Sequence, residues 1–335
     1  MQAEDGNIPG GIRPGEEGGA ALNGTQTAIG LRRLRLRRIR RRLANDWQLY
    51  LLVLPALVYV FLFHYMPMYG VQIAFKDYST RLGIWASPWA GLKHFERFLT
   101  YPNCWKIIRN TLSITLYSLA TFPLPILVAL LFNELDNQRF KRTVQMVSYA
   151  PHFVSTVVVC SIVTLFLDRS NGILNHLLVA LGGERNDWLS VPSMFSDIYV
   201  WSGVWQNTGW STIIYLAALS GVSPELHEAA RIDGASRLQI VLHINLPAIA
   251  PTVITMLILR FVQVMDLGFE KIYLLQNSLN LDASQVIATY VYEMGVRSGQ
   301  FSYSSAIGLF NTVINVILLL IVNQVSRRVA DISLW

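Results

Sequence analysis

Hydrophobic residues along this chain are gathered into six long runs, and polar residues fall mainly between them. Each run has about 20 residues, which as an α-helix crosses the roughly 30 Å hydrocarbon core of a bilayer. The pattern therefore predicts an all-α membrane protein with six transmembrane helices, at residues 50–69, 111–132, 149–167, 198–219, 249–269 and 303–325.

Two segments precede the transmembrane domain, which is expected over residues 49–335. Residues 1–30 are rich in glycine and poor in large apolar side chains, so we expect a disordered tail. Residues 31–48 are strongly basic and contain Arg32, Arg33, Arg35, Arg37, Arg38, Arg40, Arg41 and Arg42. Lys and Arg accumulate on the cytoplasmic side of spans, so this segment predicts a cytoplasmic N-terminus; an RNA- or lipid-binding arm is the alternative. Six spans then place the C-terminus and the loops 133–142 and 220–248 in the cytoplasm as well.

Composition and motifs narrow the class of protein. The 335 residues are 53% hydrophobic and 14% charged, with a net charge of +6. Soluble domains are nearer one quarter charged, and in so apolar a chain lipid headgroups are the expected anionic partner rather than nucleic acid. The sequence contains no G-x-x-x-x-G-K-[ST] loop, no G-x-S-x-G elbow and no H-E-x-x-H pair, and its six histidines are scattered. We therefore expect no catalytic site, no metal and no cofactor bound by this chain.

The loop at 220–248 carries signals for a short helix. Pro224 suits a first helical turn, Ser223 before it suits the N-cap, and Gly234 suits a C-terminal stop. These residues predict a helix of about ten residues. It either docks on a soluble partner or lies on the membrane surface with its charges solvated.

The order E-A-A-x-x-x-G-x9-I-x-L-P from Glu228 to Pro247 resembles the signature loop of permease subunits of ATP-binding-cassette importers. Residues 89–325 resemble the carbohydrate subgroup of the maltose-permease superfamily. Within them, 269–275, 289–292 and 301–308 are most similar to polysaccharide and lipoprotein-type permeases, including those for alginate. The resemblance implies a type I importer fold with a cytoplasmic coupling helix. In the coupling helix, Glu228 would pair with the ATPase and Asp233 would be a supporting carboxylate. Gly234 would form the turn, and Ala229 and Ala230 would be packing positions.

The resemblance also implies partners and a location. ATP and Mg²⁺ would bind a separate ATPase dimer, so this chain would not be an enzyme itself. An extracytoplasmic sugar-binding protein would deliver an oligosaccharide or polysaccharide fragment, and two permease chains would form the path by alternating access. A heterodimer is favoured over a homodimer. The expected location is the bacterial cytoplasmic (inner) membrane.

Polar residues inside the predicted spans are candidates for the sugar path. Asn207 and Trp210 are three residues apart, as are Arg260 and Gln263, so each pair shares a helix face. Amides and flat aromatic rings suit sugars, and Arg260 would additionally suit an acidic sugar. Alternatively the aromatic residues form an interfacial belt, and Arg260 and Asp266 pair with neighbouring helices.

Two other functions are compatible with a polytopic chain. The first is a membrane scaffold whose loop helix recruits a cytoplasmic protein, but it leaves the polar groups in the neighbouring spans unexplained. The second is an ion-coupled secondary carrier that uses Asp266 or Arg260 as a relay. Such carriers are built from inverted repeats, and the sequence shows no such internal symmetry.

Overall fold

The computed structural model describes residues 46–262 and 267–330. Over these ranges all regular structure is helical, apart from an isolated antiparallel bridge between Lys76 and Trp89. The predicted tail, nearly all of the basic segment, and the candidate residues Gln263 and Asp266 lie outside the described residues. The chain divides after Gly70 into two compact units.

The described part of the first unit is one long apolar helix. Helix α1 (Trp47–Val60) continues through a π-helical turn, Phe61–Tyr65, and the short helix Met66–Met68. The 3-10 segment Tyr69–Phe75 follows. The stretch Trp47–Phe75 is long and apolar enough to cross a membrane.

The second unit contains the other helices. Those that are named below are α2 (Cys104–Ala120), α3 (Pro123–Asn133), α4 (Gln138–Tyr149), α5 (Thr156–Leu167), α6 (Phe195–Ser220), α7 (Pro224–Ile232), α8 (Leu246–Val262), α9 (Phe269–Leu275) and α10 (Phe301–Ala330). Further α-helices are Gly83–Ala86, Lys93–Leu99, Ile173–Ala180, Arg237–Ile240, Leu281–Ser284 and Ile287–Tyr292. Short 3-10 or π-helical segments are Ala150–Phe153, Trp188–Ser190, Pro192–Met194, Val241–Asn245 and Glu293–Arg297.

In the described part of the chain, four helical stretches are long and apolar enough to cross a membrane: Trp47–Phe75, Cys104–Asn133, Arg237–Phe261 and Phe301–Gln324. A fifth is added if the bent pair Gln138–Phe153 and Thr156–Leu167 counts as one span. The 26-residue helix α6 contains the predicted run 198–219 but is not among these candidates. Six spans and cytoplasmic termini therefore stay predictions.

The run 149–167 is a broken helix in the structure, bent by 101° between its two parts. Pro151 lies at the start of the 3-10 turn that ends the first part. Ser155 then caps α5 by accepting a hydrogen bond from the Val158 amide at 3.4 Å. A proline has no N–H to donate, and a serine N-cap starts a new helix, so both favour a break here.

Three buried clusters hold the second unit together. One joins α3, α6 and α8 through Ile126, Ala129, Leu130, Tyr215, Leu219 and Ile249. A second includes Ile114, Cys160, Phe195 and Ile272, and a third includes Phe98, Ile107, Tyr290 and Ile307. The first cluster includes residues of α6 and α8, which are the two helices on either side of the loop that carries α7. A displacement of that loop therefore acts on helices that share a packed core.

Helices α4 and α6 approach each other with backbone contact at Gly209. A Cβ atom at this position would lie 2.0 Å from the carbonyl oxygen of Ser148. No side chain can occupy that space, so glycine permits the close crossing of the two helices.

Candidate functional site

Helix α7 forms from the local signals in its loop. The Ser223 hydroxyl accepts a hydrogen bond from the Glu225 amide at 3.3 Å. Gly234 ends the helix with a φ of 79°, and the Ala235 amide donates to the Ala230 carbonyl at 2.9 Å. The predicted N-cap at Ser223 and the predicted C-terminal stop at Gly234 are confirmed, and the helix has nine residues.

The residues expected to contact an ATPase lie on α7 and in the turn that follows it. Glu228, Ala229, Asp233 and Gly234 are exposed, and Ala230 is half-buried. Ile232, beside them, has an exposed fraction of 86%. This segment therefore presents two carboxyl groups beside small and apolar side chains.

His227 attaches α7 to the body of the chain through the polar side chains of Asn245 and Glu134. The Nε2 atom of His227 lies 2.7 Å from Oδ1 of Asn245, and Nδ2 of Asn245 lies 3.5 Å from Oε1 of Glu134. Asn245 is fully buried at the end of the π-helical turn before α8, and Glu134 directly follows α3. Sequence reasoning missed these contacts because they join different helical elements, 18 positions apart for His227 and Asn245 and 111 for Asn245 and Glu134.

A second attachment lies at the surface. The Arg237 guanidinium pairs with the Asp136 carboxylate at 2.9 Å and lies 3.4 Å from the Glu134 carbonyl oxygen. Both side chains of the pair are largely exposed, and exposed ion pairs contribute about 0–1 kcal/mol. The pair therefore orients the loop more than it stabilises it.

Two of the predicted path residues come together on α6 with a histidine from the break before α5. Nδ1 of His152 lies 3.0 Å from Oδ1 of Asn207. The His152 ring stacks on the Trp210 indole with centroids 4.7 Å apart and planes at 4°, and Phe153 meets the same indole edge-on at 5.3 Å. Sequence reasoning treated His152 as one of six scattered histidines. Its position after Pro151, at a break in an apolar run, was the available signal.

Arg260 lies exposed on α8. Helix α8 packs against α6 through Ile249, Tyr215 and Leu219. The predicted companion of Arg260, Gln263, lies outside the described residues.

A second cation meets α6 from α9. Lys271 is 8% exposed, and its ammonium donates a hydrogen bond to the Tyr199 carbonyl at 2.9 Å. The ammonium also lies 5.0 Å from the centre of the Tyr199 ring, and a Cβ atom at Gly203 would come within 3.2 Å of it. Burial lowers the pKa of Lys271 to about 8. The hydropathy pattern places this lysine in an outer loop and gives no sign of its burial.

The described residues contain no group of three or more His, Cys, Asp or Glu side chains that could hold a metal ion.

The chain combines long apolar helices, a helix between them with clustered polar and aromatic groups, and an exposed amphipathic helix in a loop. This combination defines a class of protein, the membrane-embedded transport subunits.

Comparison with known proteins identifies the family. Residues 121–331 match the family described as binding-protein-dependent transport system inner membrane component, and the chain belongs to this family. It is a permease of the ABC transporter type.

Two curated relatives come from Bacillus subtilis (strain 168). The chain is 41% identical to the polygalacturonan/rhamnogalacturonan transport system permease protein YteP over 92% of this chain and 96% of YteP. It is 44% identical to the protein LplB over 85% of this chain and 90% of LplB. The match to both relatives extends over nearly their whole length.

Solved structures agree with the family and its fold. A chain of a bacterial ABC transporter that imports the acidic polysaccharide alginate superposes with a TM-score of 0.82 at 36% identity. The match covers 88% of this chain and 99% of that chain. A second structure, of an alginate transporter in complex with an alginate pentasaccharide-bound periplasmic protein, superposes with a TM-score of 0.81 at 35% identity.

Proposed function

We propose that this permease imports acidic oligosaccharides across the bacterial cytoplasmic membrane. It does so by alternating access, with a second permease, a separate ATPase dimer and an extracytoplasmic binding protein. The observation that carries the proposal is the cluster of His152 with Asn207 and Trp210 of α6, in a permease whose solved relative is involved in the import of alginate.

The cluster has the chemistry of a sugar contact. Trp210 is 41% exposed, so part of its indole remains available to cover the apolar face of a sugar ring. The Asn207 amide uses one hydrogen for the Gly203 carbonyl at 3.1 Å and its oxygen for His152. A carboxamide has two donors and two acceptor positions, so a sugar hydroxyl can still bind there.

Two cations near the same helix favour an acidic cargo. Lys271 on α9 donates a hydrogen bond to α6, Arg260 belongs to α8, which packs against α6, and Gln263 follows Arg260 by three positions in the sequence. Guanidinium groups form strong, charge-assisted hydrogen bonds with carboxylates, which neutral sugars lack. Arg260 and Gln263 would therefore contact a uronate residue of the cargo.

The cargo proposal is tested by uptake into proteoliposomes that contain the complete transporter. A uronate oligomer is compared with a neutral oligomer of equal length, for the native chain and for Arg260→Gln. We expect uronate uptake to fall about tenfold, which corresponds to one charge-assisted hydrogen bond, and neutral uptake to stay unchanged. Arg81→Gln, an exposed outer-loop residue, is the matched control. Equal loss for both oligomers would contradict the acidic-cargo proposal.

The ATPase would bind the exposed surface of α7. Glu228 would pair with a basic group of the ATPase, Asp233 would support that pair, and Ala229 and Ala230 would allow close packing around the turn at Gly234. ATP and Mg²⁺ would be bound by the ATPase. Two ATPase clefts require two permease chains, and we propose a heterodimer. Co-purification of the ATPase with native chain but not with Glu228→Lys chain tests the contact.

A further inference from the structure

We propose that His227, Asn245 and Glu134 form a polar pin that fixes α7 to the end of α3. Through it, motion delivered to α7 reaches α3 directly, in addition to the two helices that continue the loop. The inference rests on the proposed function in one respect, which is that α7 receives motion from an ATPase.

The three side chains link three separate elements. His227 immediately precedes Glu228 on α7, Asn245 immediately precedes α8, and Glu134 immediately follows α3. Asn245 and Glu134 lie next to the ends of α8 and α3, and His227 is the fourth of the nine residues of α7. The pin therefore connects the middle of α7 to the ends of two other helices.

The donor and acceptor groups of the three side chains fix the direction of both hydrogen bonds in the pin. A carboxylate only accepts hydrogen bonds, so Asn245 turns its amide nitrogen toward Glu134 at 3.5 Å. The Asn245 oxygen then faces His227 at 2.7 Å, and the Nε2 atom of His227 must carry the hydrogen. Both bonds run from α7 toward α3, and such chains of aligned hydrogen bonds strengthen one another.

Burial makes Asn245 the central residue. Its exposed fraction is 0%, so no water can replace a partner that moves away. The ends of the pin are different, because His227 and Glu134 are only half-buried and can be solvated when released. A separation of α7 from α3 would thus leave the buried Asn245 amide without a hydrogen-bond partner. The free-energy cost of that loss keeps the two elements together during the cycle.

The Arg237–Asp136 pair cannot take over this role. Its two side chains are 70% and 78% exposed, and such pairs exchange readily with water. The pair attaches the same loop to the same segment after α3, and it supplies a matched control for the pin.

The test uses the complete transporter in proteoliposomes and measures sugar uptake per ATP hydrolysed. A loss of folded protein lowers uptake and hydrolysis together, so this ratio is insensitive to a purely structural effect. For Asn245→Leu and His227→Phe we expect the ATPase to remain bound and the ratio to fall about fivefold, the lower end of measured coupling energies. Arg237→Gln should leave the ratio within about twofold of the native value, as expected for an exposed ion pair.

Rescue at Glu134 separates hydrogen bonding from packing. Glu134→Gln keeps an acceptor oxygen at the end of the pin and should retain the native ratio, whereas Glu134→Leu should lower it as Asn245→Leu does. A native ratio in Asn245→Leu, with the ATPase still bound, would overturn the pin and leave the ATPase contact standing. Failure of the ATPase to bind the native chain would instead overturn the proposed function.

Discussion

The imidazole of His152 lies parallel to the indole of Trp210, with ring centroids 4.7 Å apart. The same imidazole contacts Oδ1 of Asn207 at 3.0 Å. A single residue from the break between α4 and α5 thus fixes both the amide and the aromatic ring that we assign to the sugar path. The site depends on this long-range contact and not on α6 alone.

Substitutions in this cluster should alter transport. His152→Phe keeps an aromatic ring against Trp210 but removes the hydrogen bond to Asn207, and we expect uptake at low sugar concentration to fall about fivefold, as for one net hydrogen bond. Trp210→Ala should lower it further by removing the stacked ring. Trp205→Ala is the matched control, because Trp205 is a half-exposed tryptophan of the same helix. Equal losses for the two tryptophan variants would argue against the cluster as the sugar contact.

The crossing of α4 and α6 should be intolerant of a methyl group. Gly209→Ala would place a Cβ atom 2.0 Å from the Ser148 carbonyl oxygen, so the helices must separate. We expect a loss of about 1–3 kcal/mol in stability, measured by thermal unfolding in detergent.

Gly308→Ala in α10 provides the comparison. A Cβ atom at Gly308 meets nothing within 4 Å, and alanine in a helix interior is favoured over glycine by about 0.5–1 kcal/mol. The two substitutions should therefore shift the unfolding temperature in opposite directions. Equal shifts would contradict the close crossing at Gly209.

Lys271 should make stability depend on alkaline pH. Burial lowers its pKa to about 8 from 10.5, so between these values the folded chain has lost a proton that the unfolded chain still holds. The free energy of unfolding therefore rises with pH across this window, because below about pH 8 the folded state carries the cost of a buried charge.

Lys271→Met, which has a side chain of similar length without charge, tests this. The thermal midpoint of the native chain should rise relative to that of Lys271→Met between pH 8 and 10. A difference between the two midpoints that stays constant from pH 7 to 10 would show that the ammonium is not desolvated.

Local sequence signals predicted the features that depend on neighbouring residues. Ser223, Pro224 and Gly234 define α7, since capping and stopping are decided within one or two turns. Helical spacing also placed Asn207 and Trp210 on one face. The E-A-A signature indicated the family by its residue order alone, and residues 121–331 match that family.

Features that depend on distant residues were not predictable in this way. The contacts of His152 with Asn207 and of Asn245 with Glu134 join different helices, and no periodicity encodes them. The burial of Lys271 against Tyr199 likewise requires tertiary packing. Pro151 and Ser155 indicate a break before α5, but the bend angle of 101° is set by tertiary packing, which no local pattern encodes.

The most direct test of the proposed transport cycle is sugar-stimulated ATP hydrolysis by the transporter reconstituted with its second permease, ATPase and sugar-loaded binding protein. Glu228→Lys reverses a charge on the exposed face of α7, and Glu184→Lys makes the same change at another exposed position. We predict that uronate oligomers stimulate hydrolysis by the native chain and by Glu184→Lys, and that Glu228→Lys abolishes the stimulation. Hydrolysis that is indifferent to sugar, or equal stimulation in all three chains, would contradict the proposed cycle.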